Sequence, residues 1–589
     1  MSFDDAAHGG PLKPLLVDNE RAVALKREAV DLPSWFLTAN QVCDLELLLN
    51  GSFSPLTGYL GSEDLESIYE NVRLADGTVW PIPITLGVNP EFVKEQGLRE
   101  GARVALRHPE GMVLAVLTIS EVYEPDRIRE AEAVFGTADD GHPGVFDLLH
   151  YGHAMRLAGP VEGVELPPHH HFLHLRQTPT RLRELFRNTG SEKVLAFQTR
   201  NPMHRAHVAM VTRAAEQVGA DILIHPVVGA TTVGDVDAVT RIRCYQSVLH
   251  YLPERTRVSL LPLAMRMAGP REAVWHAIIR RNHGCTHFVI GRDHAGPKHR
   301  KTGEPLYGMY DAQELVARFA DELGIQPVPM EEVVYSKSAK AYRAASEVTD
   351  ASDILRLSGT ELRRRLRQGA EIPDWFSFPE VLATLRKRYP ARNKQGFTVF
   401  FTGLPSSGKS TLAAILEARL MEVQDRPITL LDGDIVRKNL SSELTFSKEH
   451  RDLNILRIGF VAKQITKNGG VALCAPIAPY AVVRRKVRDA VAEDGGFLLV
   501  HVSTPLEVCE ARDRKGLYAK ARKGILKGFT GVDDPYEAPD DADLVIDTSQ
   551  HTAQEAVEII LKELDRERYI ELKDTDEEFP RGLEAEAHA

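Results

Sequence analysis

The sequence predicts a multidomain α/β protein, and three observations lead to that prediction. Short apolar runs broken by Gly and Pro fill residues 1–175, whereas residues 176–350 and 393–570 alternate apolar runs with helical segments. This alternation is typical of a parallel sheet with helices on both faces. In each of the two later stretches a group of phosphate-binding residue types directly follows a predicted strand, where parallel sheets place their ligands.

The predicted domains follow one another along the chain. Apolar runs at 80–88, 103–107 and 112–119 are the strands of the first domain, and helical residues dominate the stretch after 350. The predicted boundaries are a β-rich domain over 1–175, an α/β domain over 176–350, a small helical appendage over 351–392, a second α/β domain over 393–570 and an acidic tail over 571–589.

Composition excludes several classes of protein. The chain has 589 residues and a net charge of -11, which disfavours nucleic acid and anionic membranes as partners. Its five cysteines include no CxxC pair, so neither a disulfide framework nor a cysteine zinc site is expected. No apolar run approaches the roughly 20 residues of a membrane span. A cytoplasmic protein is therefore expected.

The stretch from Gly403 to Ser410 fits the pattern GxxxxGK[ST] of a P-loop, between a predicted strand and a predicted helix. Its backbone N–H groups surround phosphate oxygens, Lys409 reaches the β- and γ-phosphates, and the Ser410 hydroxyl can ligate Mg²⁺. Mg²⁺ bound with ATP is thus the expected cofactor, with no tightly bound organic cofactor. The predicted ATP contacts are Gly403, Leu404, Pro405, Ser406, Ser407, Gly408, Lys409, Ser410 and Thr411.

Two carboxylates follow the next strand of this domain. Of Asp432 and Asp434, one can hold Mg²⁺ through water, and the other can orient and deprotonate an acceptor hydroxyl. A surface Asp-Gly turn is the alternative reading of these two residues.

The upstream α/β domain carries polar residues after two strands. His204 and His207 are spaced one helical turn apart and can donate hydrogen bonds to phosphate. Zinc ligands and buried structural histidines are the alternatives, but HExxH is absent. The arginines that follow the two strands suit the binding of tetrahedral oxyanions. The residues of a Ser-His-Asp catalytic triad do not occur in order here, so we expect catalysis by positioning and charge stabilisation. The residues of this predicted anion cage are Gln198, Arg200, Asn201, Arg292, His294 and Ala295.

Residues 395–570 resemble adenylylsulfate (APS) kinase. The P-loop, DGDxVR at 432–437, FSxxxRxxN at 446–454, KGLYxKAR at 515–522 and FTGxDxPYEAP at 529–539 occur in that order. The resemblance implies that Asp434 is the base and that residues 515–527 form a lid. Ala478 and Leu456 depart from the serine and arginine common in the family. The implied APS contacts are Asp432, Arg437, Phe446, Arg451, Asn454, Lys527 and Phe529.

Residues 1–390 resemble ATP sulfurylase, through QTRNPMHRAH at 198–207, MRMAGPREAVWHAIIR at 265–280, GRDHAGP at 291–297 and SGTELRRRL at 358–366. The resemblance implies that sulfate is bound by Gln198, Arg200 and the Ala295 amide, and that the nucleotide is held by Arg292 and its neighbours. The implied catalytic residues are Thr199, Arg200, Asn201, and the pyrophosphate-stabilising His204 and His207.

Together the resemblances imply a β-rich PUA-like N-terminal domain, a Rossmann-like nucleotidyltransferase domain, a small helical appendage and a C-terminal P-loop kinase domain. They imply a bifunctional enzyme that converts ATP and sulfate to APS and pyrophosphate and then phosphorylates APS, as a homo-oligomer. Three alternatives stay open: a nucleotide-sensing C-terminal module without turnover, a first reaction that runs toward ATP, and another adenylyltransferase that uses the same HxxH architecture.

Overall fold

The computed structural model describes residues 6–229 and 236–572, so residues 573–589 of the predicted acidic tail lie outside the described residues. The chain divides into two compact units. The first comprises residues 1–359 and 372–388, and the second comprises residues 360–371 and 389–589. Within the described ranges, no helix has the length and apolar character that a membrane crossing requires.

The first unit begins with a mixed β-sheet flanked by helices. Strands pair in the order β1-β4-β5-β7-β2, and β3 and β6 also pair with β7. Among the strand pairs described for this sheet, β1–β4 is parallel and the others are antiparallel. Strand β5 is buried along most of its length. The elements are α1 Asn19–Glu28, β1 Ser34–Phe36, α2 Ala39–Leu49, β2 Gly58–Tyr59, α3 Ser62–Asn71, β3 Leu86–Val88, α4 Pro90–Glu95, β4 Arg103–Arg107, β5 Val113–Thr118, β6 Glu121–Tyr123, α5 Arg127–Phe135, α6 Pro143–His150 and β7 Met155–Gly163.

A second sheet of the first unit is entirely parallel, in the order β10-β9-β8-β11-β12. Chain order reverses between β8 and β11, which makes their carboxyl ends the switch point where such sheets bind ligands. The elements are α7 Pro179–Asn188, β8 Val194–Phe197, α8 Arg205–Val218, β9 Asp221–Ile224, α9 Ala238–Val248, β10 Arg257–Val258, α10 Gly269–Asn282, β11 His287–Ile290, α11 Asp311–Leu323 and β12 Gln326–Pro329.

A small antiparallel sheet and two helices follow. Strands pair in the order β14-β13-β15, so the expected helical appendage also contributes a strand to the preceding segment. The elements are β13 Val333–Ser336, β14 Ala341–Ala344, β15 Ile354–Leu355, α12 Gly359–Gln368 and α13 Pro379–Arg388. Short 3₁₀ turns occur at Leu173–Leu175, Leu249–Tyr251, Ala345–Glu347, Ala351–Asp353 and Arg392–Lys394.

The second unit contains a five-stranded parallel sheet in the order β17-β18-β16-β19-β20. Every residue of the central strand β16 is buried, because helices cover both faces of the sheet. The elements are β16 Phe397–Gly403, α14 Lys409–Val423, β17 Ile428–Asp432, α15 Gly433–Asn439, α16 Lys448–Lys467, β18 Val471–Ala475, α17 Ala481–Ala492, β19 Gly496–Val502, α18 Leu506–Arg512, α19 Leu517–Arg522, β20 Leu544–Ile546 and α20 Ala553–Arg566.

Two candidate active sites

A cavity of about 310 Å³ lies at the switch point of the first unit, between the loops that follow β8 and β11. Arg200 and Arg292 come from these two loops, and a third wall is formed by Met265 and Met267. The structure thus brings together most of the residues predicted for the upstream site. Those that line the cavity are Gln198, Thr199, Arg200, Asn201, His207, Arg292, His294 and Ala295.

The loop after β8 is fixed through its backbone by helix α9. The buried Arg241 donates a hydrogen bond to the carbonyl of Arg200 at 3.0 Å, and the Tyr245 hydroxyl donates to the carbonyl of Asn201 at 3.0 Å. The Thr199 hydroxyl hydrogen-bonds to the N–H and the carbonyl of Asn201, both at 3.1 Å. Sequence reasoning missed Arg241 and Tyr245, because no motif marks a residue that supports a distant loop through its carbonyls.

The two histidines of the HxxH pattern have different positions. Helix α8 begins at Arg205, so His204 is its N-cap, and His204 Nδ1 lies 2.8 Å from the Ser377 hydroxyl, outside the cavity lining. His207 lines the cavity, and its Nδ1 accepts the backbone N–H of His204 at 3.1 Å. Direct contact of His204 with pyrophosphate therefore stays a prediction.

The protonation of His207 follows from its surroundings. Burial lowers the pKa of His207 to about 4, and burial together with the neighbouring His207 lowers the pKa of His204 to about 3. Both rings are therefore neutral near neutral pH. Because Nδ1 of His207 is an acceptor, its single proton resides on Nε2. His207 can thus donate one hydrogen bond to an anion without being charged.

Three non-glycine residues of this cavity have left-handed backbone conformations, Met267 with φ 65°, Asp293 with φ 48° and Ala295 with φ 57°. Such conformations cost free energy and cluster at ligand-binding sites. The carbonyl of Ala295 accepts the N–H of Gly269 at 3.2 Å, which joins the two loops. Sequence reasoning gave the methionine wall no role, although the motif that contains Met265 and Met267 is part of the resemblance.

A larger cavity, of about 890 Å³, lies beside the P-loop of the second unit. The loop requires glycine at Gly403, which has φ 153°, since a Cβ there would lie 2.5 Å from the carbonyl oxygen of Val502. The Lys409 ammonium donates hydrogen bonds to the carbonyls of Gly403 at 3.0 Å and Leu404 at 2.7 Å. Burial lowers the pKa of Lys409 to about 8.

Oxygen ligands suited to Mg²⁺ are adjacent in this cavity. The Ser410 hydroxyl donates a hydrogen bond to the Asp432 carboxylate at 2.8 Å, so one ion could contact both. The other Asp432 oxygen accepts the N–H of Asp434 at 2.9 Å and caps helix α15. Asp434 is exposed to the cavity and forms an ion pair with Lys515. The residues present therefore fit a magnesium ion beside a second carboxylate, which Lys515 pairs.

The opposite side of the cavity is basic and aromatic. The Arg437 guanidinium lies 4.4 Å from the ring centroid of Phe446, an exposed ring available for stacking. Arg451 forms an ion pair with Asp534 at 2.7 Å. Asn454 is buried, and its Oδ1 has no hydrogen-bond partner within the described ranges. The predicted acceptor-site residues that line the cavity are Asp432, Arg437, Phe446, Arg451, Asn454, Lys527 and Phe529.

Two further acidic residues organise this side and were given no role from the sequence. Asp534 joins Arg451 to the Tyr480 hydroxyl, and Asp533 accepts the N–H groups of Gly528 and Phe529, each at 2.6 Å. The FTGxDxPYEAP stretch contains both aspartates. The stretch could have drawn attention to both aspartates, but a sequence pattern does not show which backbone N–H groups a carboxylate accepts.

The two departures from the kinase pattern lie in different places. Ala478 is buried, has φ 46° and lines the cavity, where its carbonyl accepts hydrogen bonds from Arg484 at 2.7 Å and from the Thr402 hydroxyl at 3.1 Å. Leu456 lies on α16 with an exposed side chain and is not among the described residues that line the cavity.

Comparisons with known proteins agree with this division. The ATP-sulfurylase family matches residues 173–388, the adenylylsulphate kinase family matches residues 395–547, and a PUA-like domain matches residues 5–166. The predicted fold class and the predicted resemblance to both families are thereby confirmed.

Individual relatives extend over nearly the whole chain. A sulfate adenylyltransferase of Phaeosphaeria nodorum is 50% identical over 557 residues, 94% of this chain and 97% of the relative. One from Mycosarcoma maydis is 50% identical over 572 residues, 96% of this chain and all of the relative. Among solved structures, a hexameric APS kinase from Thiobacillus denitrificans has a TM-score of 0.79 at 39% identity, covering 96% of this chain and 99% of its own. The chain therefore belongs to the sulfate adenylyltransferase (ATP-sulfurylase) family and carries an APS kinase domain after its sulfurylase domain.

Proposed function

We propose that this protein activates sulfate in two consecutive reactions at two separate sites. The first site joins sulfate to the adenylyl group of ATP and gives APS and pyrophosphate. The second site transfers the γ-phosphoryl group of another ATP to the 3′-hydroxyl of APS and gives 3′-phosphoadenylyl sulfate (PAPS). The observation that supports the complete route is the intact constellation of Lys409, Ser410, Asp432 and Asp434 in the second cavity.

The first reaction is a direct displacement by a sulfate oxygen on the α-phosphorus. The Thr199 hydroxyl is committed to the backbone of Asn201, which favours positioning over a covalent intermediate. Arg200 and Gln198 hold sulfate, and Arg292 holds the nucleotide from the facing loop. The Nε2–H of His207 donates to the pyrophosphate oxygen on which negative charge develops.

The second reaction needs a base and a clamp on the triphosphate. Asp434 accepts the proton of the 3′-hydroxyl, and Lys515, its ion-pair partner, lies beside it in the cavity. Lys409 exchanges its loop carbonyls for the β- and γ-phosphate oxygens. Mg²⁺ bound with ATP would be held by Ser410 and Asp432 and would neutralise phosphate charge.

The order of the reactions has a thermodynamic reason. APS is a mixed phosphate–sulfate anhydride and is high in free energy, so its formation from sulfate and ATP runs uphill. Phosphorylation of APS in the same polypeptide removes the product and draws the first reaction forward. The same first site also catalyses the return reaction to ATP, and the concentrations of APS and pyrophosphate set its direction.

Product analysis tests the route. Purified protein is incubated with labelled sulfate, MgATP and pyrophosphatase, and separately with APS and MgATP. We expect labelled PAPS in the first incubation and PAPS plus ADP in the second. If the first gives only labelled APS and the second gives no phosphorylated product, the second unit is a nucleotide-sensing module and the kinase proposal is wrong.

The lowered pKa of Lys409 predicts a pH dependence of ATP use by the kinase. The ammonium is charged below its pKa of about 8 and loses its proton above it, so phosphate binding weakens as the pH rises. We expect the KM for ATP, measured with APS supplied, to rise about tenfold between about pH 7 and about pH 9. Lys409→Arg should show a lower rate and a flat KM, because a guanidinium stays charged. A wild-type KM that is flat over this range would contradict the prediction.

We also propose that the chain forms a homo-oligomer. The Thiobacillus denitrificans relative, aligned over 96% of this chain, is described as hexameric. Light scattering on the purified protein should give a mass several times the 65.5 kDa of one chain. A mass near 65.5 kDa at micromolar concentration would contradict the proposal.

A further inference from the structure

A row of three buried polar side chains lies behind the sulfurylase cavity, and only His294, at its cavity end, has been given a role so far. Glu272 and His276 lie one turn apart on helix α10, and His294 follows β11 and lines the cavity. The side chains of Glu272 and His276 have no exposed surface, and His294 is 8% exposed. Buried carboxylates and imidazoles are costly unless they are paired, so this arrangement calls for an explanation.

The distances connect the three side chains in a row. Nδ1 of His276 lies 3.0 Å from Nε2 of His294. Nε2 of His276 lies 3.5 Å from Oε1 of Glu272. The three side chains therefore extend from the core of the domain to the surface of the cavity.

The proton positions follow from the donor and acceptor capacities. Burial alone would raise the pKa of Glu272, but the nearby His276 imidazole and the hydrogen bonds from the amides of Arg266 and Ala268 lower it, so Glu272 is ionised and only accepts. Burial lowers the pKa of His276 and His294, so both are neutral. The His276 proton then lies on Nε2, which faces the Glu272 carboxylate at 3.5 Å in an electrostatic contact without a hydrogen bond. Nδ1 of His276 accepts, and His294 donates through Nε2–H. The ring of His294 is thereby fixed in one tautomer and one orientation.

The same carboxylate also holds the opposite wall of the cavity. Its two oxygens accept the backbone N–H groups of Arg266 and Ala268, each at 2.9 Å. These residues flank Met267, whose backbone is left-handed and whose side chain lines the cavity. One buried group thus connects the loop that carries His294 with the methionine wall.

We propose that Glu272 and His276 are positioning residues of the sulfurylase site. His276 fixes the orientation of His294 through a hydrogen bond, and Glu272 orients His276 electrostatically and holds the methionine loop through two backbone amides. The proposal rests on the sulfurylase reaction proposed above. Neither residue touches the cavity, so each acts through its neighbours. The row of side chains orients His294 and brings no positive charge to the cavity, because both imidazoles are neutral.

Variants at His276 test the proposal. His276→Leu removes both polar contacts, and we expect it to lower kcat for APS formation about 10- to 100-fold, with a smaller change in the KM values, because a misplaced group loses transition-state geometry. In His276→Asn the side-chain amide ends near the position of Nδ1 and can accept from His294. In His276→Gln the amide extends toward Glu272 and leaves His294 without its acceptor. We expect His276→Asn to retain clearly more kcat than His276→Gln.

His283→Leu is the matched control. His283 is buried in the same domain core, hydrogen-bonds to the carbonyl of Ile279 at 2.8 Å and does not line the cavity. It should lower the melting temperature while kcat stays within about twofold, as expected for a change with no link to the reacting groups. If His276→Leu does not fold, the comparison of Asn with Gln decides.

The outcomes separate this inference from the proposed function. Wild-type protein without sulfate-dependent pyrophosphate release would overturn the proposed function. If the wild type is active, two results would overturn the positioning role. One is an equal kcat in His276→Asn and His276→Gln. The other is a loss of kcat in the His276 variants that is explained by their melting temperatures, as for a purely structural change such as His283→Leu. The positioning role is supported if kcat falls in the order wild type, His276→Asn, His276→Gln while the melting temperatures do not fall in that order.

Discussion

Lys409→Ala is expected to stop the second reaction and leave the first running, so that APS accumulates from labelled sulfate. The variant loses the ammonium that reaches the β- and γ-phosphates, and charge stabilisation of this kind is worth about 10²- to 10³-fold in rate. The first cavity contains no residue of the P-loop. Chromatography of the labelled products in the presence of pyrophosphatase measures both effects.

Lys467→Ala is the control for this experiment. Lys467 lies in the last turn of helix α16, is exposed and does not line the cavity, so its loss removes the same charge without touching the triphosphate. It should form PAPS at the wild-type rate. If Lys409→Ala also forms PAPS at that rate, the P-loop of this chain does not carry the kinase reaction.

Arg200→Ala should abolish sulfate-dependent release of pyrophosphate. Arg200 lies at the end of β8 in the cavity, and its backbone is fixed by Arg241, so no other described part of the loop can bring a guanidinium to that position. Loss of a charge-assisted oxyanion contact costs about 10²- to 10³-fold in kcat, and here the acceptor itself would also bind weakly. Pyrophosphate release with and without sulfate measures the loss.

The matched control is Arg243→Ala, on the exposed side of helix α9. Both variants should phosphorylate supplied APS at the wild-type rate, because the kinase cavity contains neither arginine. Adenylyl transfer that persists in Arg200→Ala would show that the site serves an acceptor other than sulfate, which is the remaining alternative for this architecture.

The sequence was sufficient for the fold because both parallel sheets are marked by local patterns. Buried strands such as β8 and β16 are short apolar runs with a polar or glycine-rich segment directly after them. The turn from β16 into α14 needs glycine for steric reasons, and such requirements are visible in a motif. The order of the domains follows from the order of these patterns along the chain.

The sequence by itself determined which residue types surround phosphate, since the backbone turns and charges that bind anions depend on local spacing. Only the tertiary structure decided how those residues are supported. It made His204 an N-cap that contacts Ser377, and it placed His207 in the cavity lining. It also brought Arg241 to the loop after β8 and Asp534 to Arg451 from distant segments. A side chain that supports a distant loop acts through backbone carbonyls and amides, which every residue possesses, so spacing carries no record of such contacts.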